Sequence, residues 1–376
     1  MPPSRELALA AYFAAVDDPR IERTKAHNLL DIIIITICAV ICGADDWVGV
    51  AEFGTSKHAW LKQFLELPNG IPSHDTFGRV FARIDPKQFQ ESFLQWIEAV
   101  QTVRTDVIAI DGKTHRGSHD RPNGQAALHL VSAWAAENRL VLGQVAVDDK
   151  SNEITAIPQL LDLLDLRDCT VTIDAMGCQT AIATKIRDRQ GHYVLALKAN
   201  QAALYADVQA LFADARAAKQ PEYGMTSASD TTSGHGRIET RTTYVINDPE
   251  VIAYLNPGNH WRDLASVALV EAQRTAEGRT TTEQRFYLLD QARLPTEVNA
   301  LVRGHWGIEN CVHWVLDVIF HEDASRIRTG DAPQNMGVVR HIALNLLRQE
   351  PSKGSVKTKR FRAALNDAYL ERVLGI

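Results

Sequence analysis

The chain has 376 residues, 45% hydrophobic and 23% charged, which is enough for an extensive core and for two or three domains, and too apolar for compositional disorder. A formal charge of −6 means that a nucleic-acid partner has to be held by local basic patches, because bulk charge disfavours it. Five scattered cysteines, Cys38, Cys42, Cys169, Cys178 and Cys311, suit neither a zinc site nor a disulfide framework and fit a reduced, cytosolic setting.

Residues 1–100 read as an all-helical domain. The run "IIIITICAVIC" (32–42) is shorter than the roughly 20 residues that span a bilayer. With Asp31 before it and Asp45 and Asp46 after it, a buried helix is expected and no membrane partner. The N-terminus lacks the basic-then-apolar order of a signal peptide. Next, "PNGIPSHDTFGRVFARID" predicts a turn and a helix capped by Ser73, burying Phe77, Val80, Phe81 and Ile84. Its His74, Arg79 and Arg83 fit a DNA-binding helix-turn-helix and, more readily, the outer face of an ordinary bundle.

Residues 104–216 change character. Strands are expected at 107–110, 127–134 and 139–147, then a helix in "EITAIPQLLDLLDL", a strand at 170–173, a helix near 178–189 and a strand at 192–198. The order is β-β-β-α-β-α-β, followed by a helix at 201–216. Residues 217–290 are rich in Thr and Arg with β alternation and read as an inserted β-rich region. Residues 291–350 turn helical again through "RGHWGIENCVHWVLDVIF" and "RHIALNLLRQE". Residues 351–376 read as a basic, mobile C-terminal tail.

Two strands end on acids: Asp111 in "VIAIDGKTHRGS" and Asp174 in "TVTIDAMG". At about 4 Å and an effective dielectric near 20, two such charges repel by roughly 4 kcal/mol. They therefore call for a compensating cation, and oxygen ligands suit magnesium or manganese. Each aspartate alone also reads as a helix cap or a turn residue. On the helix that follows, His305, Glu309, Val312, His313 and Leu316 share one face. An acid in that apolar stripe is either salt-bridged, for instance to Arg303, or the third carboxylate of a metal site. Lys113, Arg116, Lys198, Arg303, Arg326 and Arg328 cluster around these acids in the sequence, and His305 shares the helix of Glu309. His235 and Arg237 stand in "SGHGRIE" of the inserted region. All are candidate DNA contacts, and each alone also reads as a solvated charge. Trp306 and Trp314 suit base stacking or, preferably, core packing.

Asp111, Asp174 and Glu309, in "IDGKTHRGS", "TIDAMGCQ" and "HWGIENCVHWVLDV", resemble the acidic triad of DDE transposases, above all the ISAs-type (H repeat-associated) insertion-sequence group. The stretches "GIPSHDTFGRVF", "KSNEITAIPQLL", "LALKANQ", "SGHGRIETR" and "RHIALNLLR" extend the resemblance over about residues 15–350. It implies an α/β fold: a ribonuclease H-like catalytic core (a mixed five-stranded sheet with helices), an inserted β-rich domain and an all-helical N-terminal domain. Asp111 and Asp174 would lie side by side on the first and fourth strands. The three acids would be catalytic and would hold two Mg²⁺ (or Mn²⁺) ions. The implied function is cleavage of double-stranded DNA at the element's inverted repeats and joining of the 3′-OH ends to target DNA. A homodimer at synapsis and a cytoplasmic, nucleoid-associated location in a bacterium are implied by the same resemblance. One departure is plain: the Tyr, Arg, Glu, Lys signature of related transposases corresponds here to Val302, His305, Glu309 and Leu316. Two other readings stay open: a transposase-derived DNA-binding protein without catalysis, and a ribonuclease H-like nuclease that cuts without joining.

Overall fold

The structure is a computed structural model that describes residues 8–101, 107–119, 126–147, 152–218, 223–234 and 236–376. The N-terminal segment holds α1 (Ala8–Phe13), α2 (Leu29–Ile41), α3 (Trp47–Ser56), α4 (His58–Leu61), α5 (His74–Phe81) and α6 (Pro86–Val100). The apolar run forms α2, with Ile32, Ile33, Ile34, Ile35 and Ile37 fully buried. Among the described residues no helix is long and apolar enough to cross a membrane. Asp31 is buried with α2 because its carboxylate accepts the Leu67 N–H at 3.0 Å, which offsets part of its desolvation. Ser73 caps α5 as expected, its Oγ accepting the Thr76 N–H at 3.3 Å. Phe77, Val80 and Phe81 face inward, and His74, Arg79 and Arg83 face solvent.

The sheet begins with β1 (Val107–Thr114), β2 (His129–Ala135) and β3 (Leu140–Ala146). Then come α7 (Glu153–Leu163), β4 (Thr170–Ile173), α8 (Thr180–Asp188), β5 (His192–Leu197) and α9 (Ala202–Ala217). This is the element order read from the sequence. β2 pairs antiparallel with both β1 and β3, while β4 lies parallel to β1 and β5 parallel to β4. β4 is buried along its whole length, Thr170 and Thr172 as well as Val171 and Ile173, as a strand covered on both faces is.

The remaining strands are β6 (Thr226–Gly234), β7 (Arg237–Ile246), β8 (Ser266–Ala276) and β9 (Arg279–Leu289), with α10 (Pro249–Leu255) between β7 and β8. Here the structure differs from a five-stranded sheet carrying a separate β insert. β9 pairs antiparallel with β5, Val194 opposite Leu289, and one nine-stranded sheet results, in the order β3-β2-β1-β4-β5-β9-β8-β7-β6. Without β9, the backbone groups along that side of β5 would be an open edge. The near ends of β7, β8 and β9 are buried: Phe286 packs on Tyr205 and Phe212 of α9, and Tyr287 and Leu289 join a cluster with Val298, Leu301 and Val302. The far ends are exposed and carry cross-strand hydroxyl pairs, Ser229 with Thr242 at 2.9 Å and Thr231 with Thr240 at 3.0 Å.

The chain closes with α11 (Pro295–Ile308), a π-helical turn (Glu309–His313), α12 (Trp314–Ile319), α13 (Ala332–Gln349), α14 (Val356–Leu365) and α15 (Asp367–Leu374). α11 comes close to the sheet at Gly307, where a Cβ would stand 3.3 Å from the Trp134 indole nitrogen. α13 joins the N-terminal helices to the sheet in one hydrophobic core, and Asn335 Nδ2 donates to Phe81 O and Ile84 O at 2.9 and 3.0 Å. The basic tail is not a mobile extension. Lys359 and Arg360 of α14 are buried, donating to Leu347 O at 3.0 Å and Val40 O at 2.8 Å, and the Arg360 guanidinium lies over the Phe320 ring. These cations satisfy carbonyls left over at helix ends, which is why a charged stretch folds inward.

Candidate active site

β1 and β4 run parallel with Ile110 opposite Ile173, so Asp111 and Asp174 follow neighbouring positions on neighbouring strands. Asp111 Oδ1 accepts the Gly112 N–H at 2.9 Å, and Asp174 Oδ1 accepts the Met176 N–H at 3.0 Å. The glycine after Asp111 has a steric cause. A Cβ there would fall 2.2 Å from Glu153 Oε1 and 2.6 Å from His129 Nε2. Those two side chains are themselves bonded at 2.8 Å, and His129 Nδ1 meets Thr114 Oγ1 at 2.8 Å.

Asp111 lies within β1, which runs on to Thr114, while Asp174 directly follows β4; Glu309 comes to these two aspartates from the π-helical turn. Asp111, Asp174 and Glu309 line one cavity, together with Lys198, His305 and Trp306. Ligand atoms of Asp111, Glu309 and His313 all lie within 4.8 Å of one another, while Asp174 stands outside that closer group. Val312, His313 and Leu316 are buried as the apolar stripe predicts, but the Glu309 side chain is 53% exposed at the cavity mouth. Its neighbour is His313, at 3.1 Å, and not Arg303, which pairs with Asp230 at 2.9 Å.

Burial pushes the Asp111 carboxyl up to about 7, and the charges of Asp174, Glu153 and Glu309 push the same way against the Gly112 N–H. Burial also lowers the pKa of the His313 and His305 rings, against the pull of Glu309 on the first and Asp174 on the second. His305 Nδ1 is 3.0 Å from Thr172 Oγ1, so this ring is turned to β4.

The basic residues expected at DNA fall into different places. Lys198 is exposed at the cavity. Arg116 is exposed, 3.7 Å from Asp323. Arg326 and Arg328 line a cleft with His74 and Arg79 of α5, and Arg328 Nε donates to Gly117 O at 2.9 Å. Arg237 and Arg303 line a groove with Arg241, Arg274 and Arg285 and with Glu239 and Glu283, which pair with the last three arginines and leave a net positive lining; the groove meets the carboxylate cavity at Arg285 and Trp306. His235 lies outside the described residues. Lys113 turns inward: its side chain is 10% exposed and its ammonium donates to Asp317 and, at 2.7 Å, to Glu322. Two acids from the α12 end of the chain draw it inward, which ties β1 to α12. Trp306 and Trp314 are exposed, 43% and 54%, where core packing was expected. The Arg285 guanidinium lies 4.7 Å from the Trp306 ring centre.

Three residues at or near the site had no assigned part in the sequence reading. His313 shared a face with Glu309, but a regular helix gives no reason to bring its ring to Asp111. Glu153 opens α7 and gave no signal beyond a helix start. Glu322, in "HEDASR", carries no signal of its own in the sequence. It is fully buried between Lys113, His115 at 3.4 Å and Arg340 at 3.5 Å. Burial alone would raise its pKa, yet His115, Lys113 and Arg340 hold the carboxyl far below its ordinary range.

Comparison with known proteins bears on this geometry. Residues 103–346 match the family described as "Transposase DDE domain", and residues 10–97 match the one described as "DDE_Tnp_1-associated". YncI of Escherichia coli O157:H7, which carries the name of a transposase, is 41% identical over 98% of this chain and 94% of its own. YhhI of Escherichia coli K12, named as an H repeat-associated transposase, is 37% identical over 98% of this chain and 97% of its own. A solved piggyBac transposase synaptic complex with hairpin DNA aligns over 95% of this chain and 76% of that one, with a TM-score of 0.44 and 9% identity, a distant likeness. With its DDE domain and its full-length H repeat-associated relatives, the chain belongs to the H repeat-associated family of DDE transposases.

Proposed function

We propose that the chain cleaves double-stranded DNA at the inverted repeats of its own insertion sequence and joins the freed 3′-OH ends to target DNA, with Asp111, Asp174 and Glu309 as the catalytic acids. The observation that carries the reading is their convergence from β1, β4 and the π-helical turn on one cavity. The β3-β2-β1-β4-β5 portion of the sheet supports a ribonuclease H-like core.

The donor set fits a hard divalent cation of the magnesium or manganese kind, one ion or two. Carboxylates line one cavity, and among the described residues no lysine or arginine forms an ion pair with any of the three. When bound, such cations ease deprotonation of the attacking water or 3′-hydroxyl and stabilise charge on the leaving oxygen. The protein's own groups do the rest. The Gly112 and Met176 N–H groups fix the two aspartates. The Glu322 carboxylate holds Lys113 away, so the ammonium does not neutralise Asp111. Lys198 and Arg285 at the cavity hold the scissile phosphate. The arginine groove beside Trp306 takes the flanking DNA backbone, a local basic surface on an acidic chain. Arg326 and Arg328, with His74 and Arg79, offer a second such surface where α5 meets the core. Pairing two element ends calls for two copies of the chain.

Labelled duplexes carrying the element ends, incubated with protein, Mg²⁺ and target DNA, test the reading. Joined products support it. Cleavage without joining leaves a nuclease, and binding without cleavage leaves a DNA-binding derivative.

A further inference from the structure

The helix that carries Glu309 is irregular where it matters. Its α-helical course stops at Ile308, Glu309–His313 forms a π-helical turn, and α12 resumes at Trp314. One residue inserted into a helix of 3.6 residues per turn rotates the downstream side chains by about 100°. Such turns are uncommon inside helices and concentrate at functional sites. Here the two histidine rings on either side of the turn part company. His305, before it, faces Thr172 of β4. His313, at its end, faces the acids: Nδ1 stands 3.1 Å from Glu309 Oε2 and 3.5 Å from Asp111 Oδ2.

That second ring is enclosed. The His313 side chain is 5% exposed, and its Nε2 is buried with no hydrogen-bond partner among the described residues. Its other nitrogen, Nδ1, stands between the two acids. Its Nδ1 and one oxygen from each acid all lie within 4.8 Å of one another, a separation one cation can bridge, while Asp174 stands farther off.

We infer that His313 is a nitrogen ligand of the cation site, completing with Asp111 and Glu309 a mixed nitrogen–oxygen donor set, with Asp174 reaching the site from the β4 side. The inference rests on the metal-dependent reading above and adds to it. The acids alone form an all-oxygen site suited to Mg²⁺, whereas an imidazole in the set raises the affinity for later first-row ions such as Co²⁺.

The test uses the full chain, stripped of metal and loaded with Mn²⁺, without DNA. With ¹⁵N-labelled histidine, pulsed electron paramagnetic resonance is expected to show a directly bound imidazole nitrogen in the wild type. The coupling should persist in His305→Gln and vanish in His313→Gln. In calorimetric titrations, His313→Gln should weaken Co²⁺ binding by about tenfold or more and Mg²⁺ binding by less. Bound Mn²⁺ with no nitrogen coupling in the wild type overturns the inference while leaving an acidic cation site in place, and that spectrum decides even if the variant fails to fold. A coupling that survives in His313→Gln, or Co²⁺ affinity unchanged by it, overturns the inference equally. A wild type that binds no Mn²⁺ overturns both the inference and the metal-dependent reading beneath it.

Discussion

Above about pH 8, where the Asp111 carboxyl, raised to about 7, is ionised, replacing Asp111 with asparagine removes one negative charge from a cavity lined by four carboxylates, those of Asp111, Asp174, Glu283 and Glu309. Oxygens of Asp111 and Glu309 lie within 4.8 Å. Two full charges at that separation repel by about 3.5 kcal/mol at an effective dielectric near 20. The Glu309 side chain is 53% exposed, so solvent screening leaves about 1 kcal/mol of that repulsion. Across 376 residues, about 2.1 cal/mol/K each gives an unfolding entropy of roughly 0.8 kcal/mol/K, and relief of this size raises Tm by about 1 °C. Magnesium reverses the ranking. At one hundred times its Kd, a ligand of the native state stabilises it by about 2.7 kcal/mol, or roughly 3 °C for this chain. The variant, short of one anionic ligand, gains much less. Thermal unfolding in EDTA and in Mg²⁺, run beside a cleavage gel, reads all of this. The expected result is a slightly higher Tm without metal, a lost Mg²⁺ response and no cleavage. A variant that keeps the full Mg²⁺ shift, or cuts at near wild-type rate, refutes the reasoning for Asp111.

Asp174→Asn and Glu309→Gln should each abolish cleavage with an unchanged circular dichroism spectrum; near wild-type activity in either removes that residue from the ligand set. DNA affinity should fall steeply with salt, and Arg237→Ala and Arg285→Ala should each reduce the slope of log K against log salt by about 1; a flat response contradicts the basic-groove argument. Glu322→Gln leaves Lys113 and Arg340 buried without their full counter-charge and should cost about 3–5 kcal/mol in denaturant melts at neutral pH. Because the Glu322 carboxyl is held below its ordinary 4.5, its stabilisation is complete above that pH and lost as pH falls toward the depressed value, so the gap between wild type and variant should close in acid. Gly112→Ala drives a Cβ to 2.2 Å from Glu153 Oε1 and should cost about 1–3 kcal/mol by thermal unfolding along with much of the cleavage activity; an unperturbed variant contradicts the packing described at β1.

Local pattern made part of the fold legible in the sequence. The Ser73 cap, the buried α2 and the β-β-β-α-β-α-β order all rest on short-range signals, and all are present in the fold. The adjacency of β1 and β4 came from the resemblance rather than from periodicity, and their register agrees with it. The features that sequence reasoning missed depend on contacts distant along the chain. Thr/Arg alternation identifies strands but not the edge they join, so the pairing of β9 with β5 was not visible. A lysine two residues after the candidate acid Asp111 suggests phosphate, and only the fold brings Glu322 and Asp317 to claim Lys113. The basic stretch at α14 looked solvated because the carbonyls that receive it come from α2 and α13. A helix drawn with uniform spacing buried Glu309 in its stripe, whereas the π-helical turn lifts it to the cavity mouth and turns His313 inward.

The central claim is that acids from β1, β4 and the π-helical turn cut and join DNA together, and a strand-transfer assay with pre-cleaved element ends tests it most directly. With Mg²⁺, wild-type protein should attach the labelled 3′-OH end to target DNA, and Asp111→Asn, Asp174→Asn and Glu309→Gln should each yield no joined product. Binding of the ends with no joining by the wild type, or joining that survives loss of any one of these acids, contradicts the account.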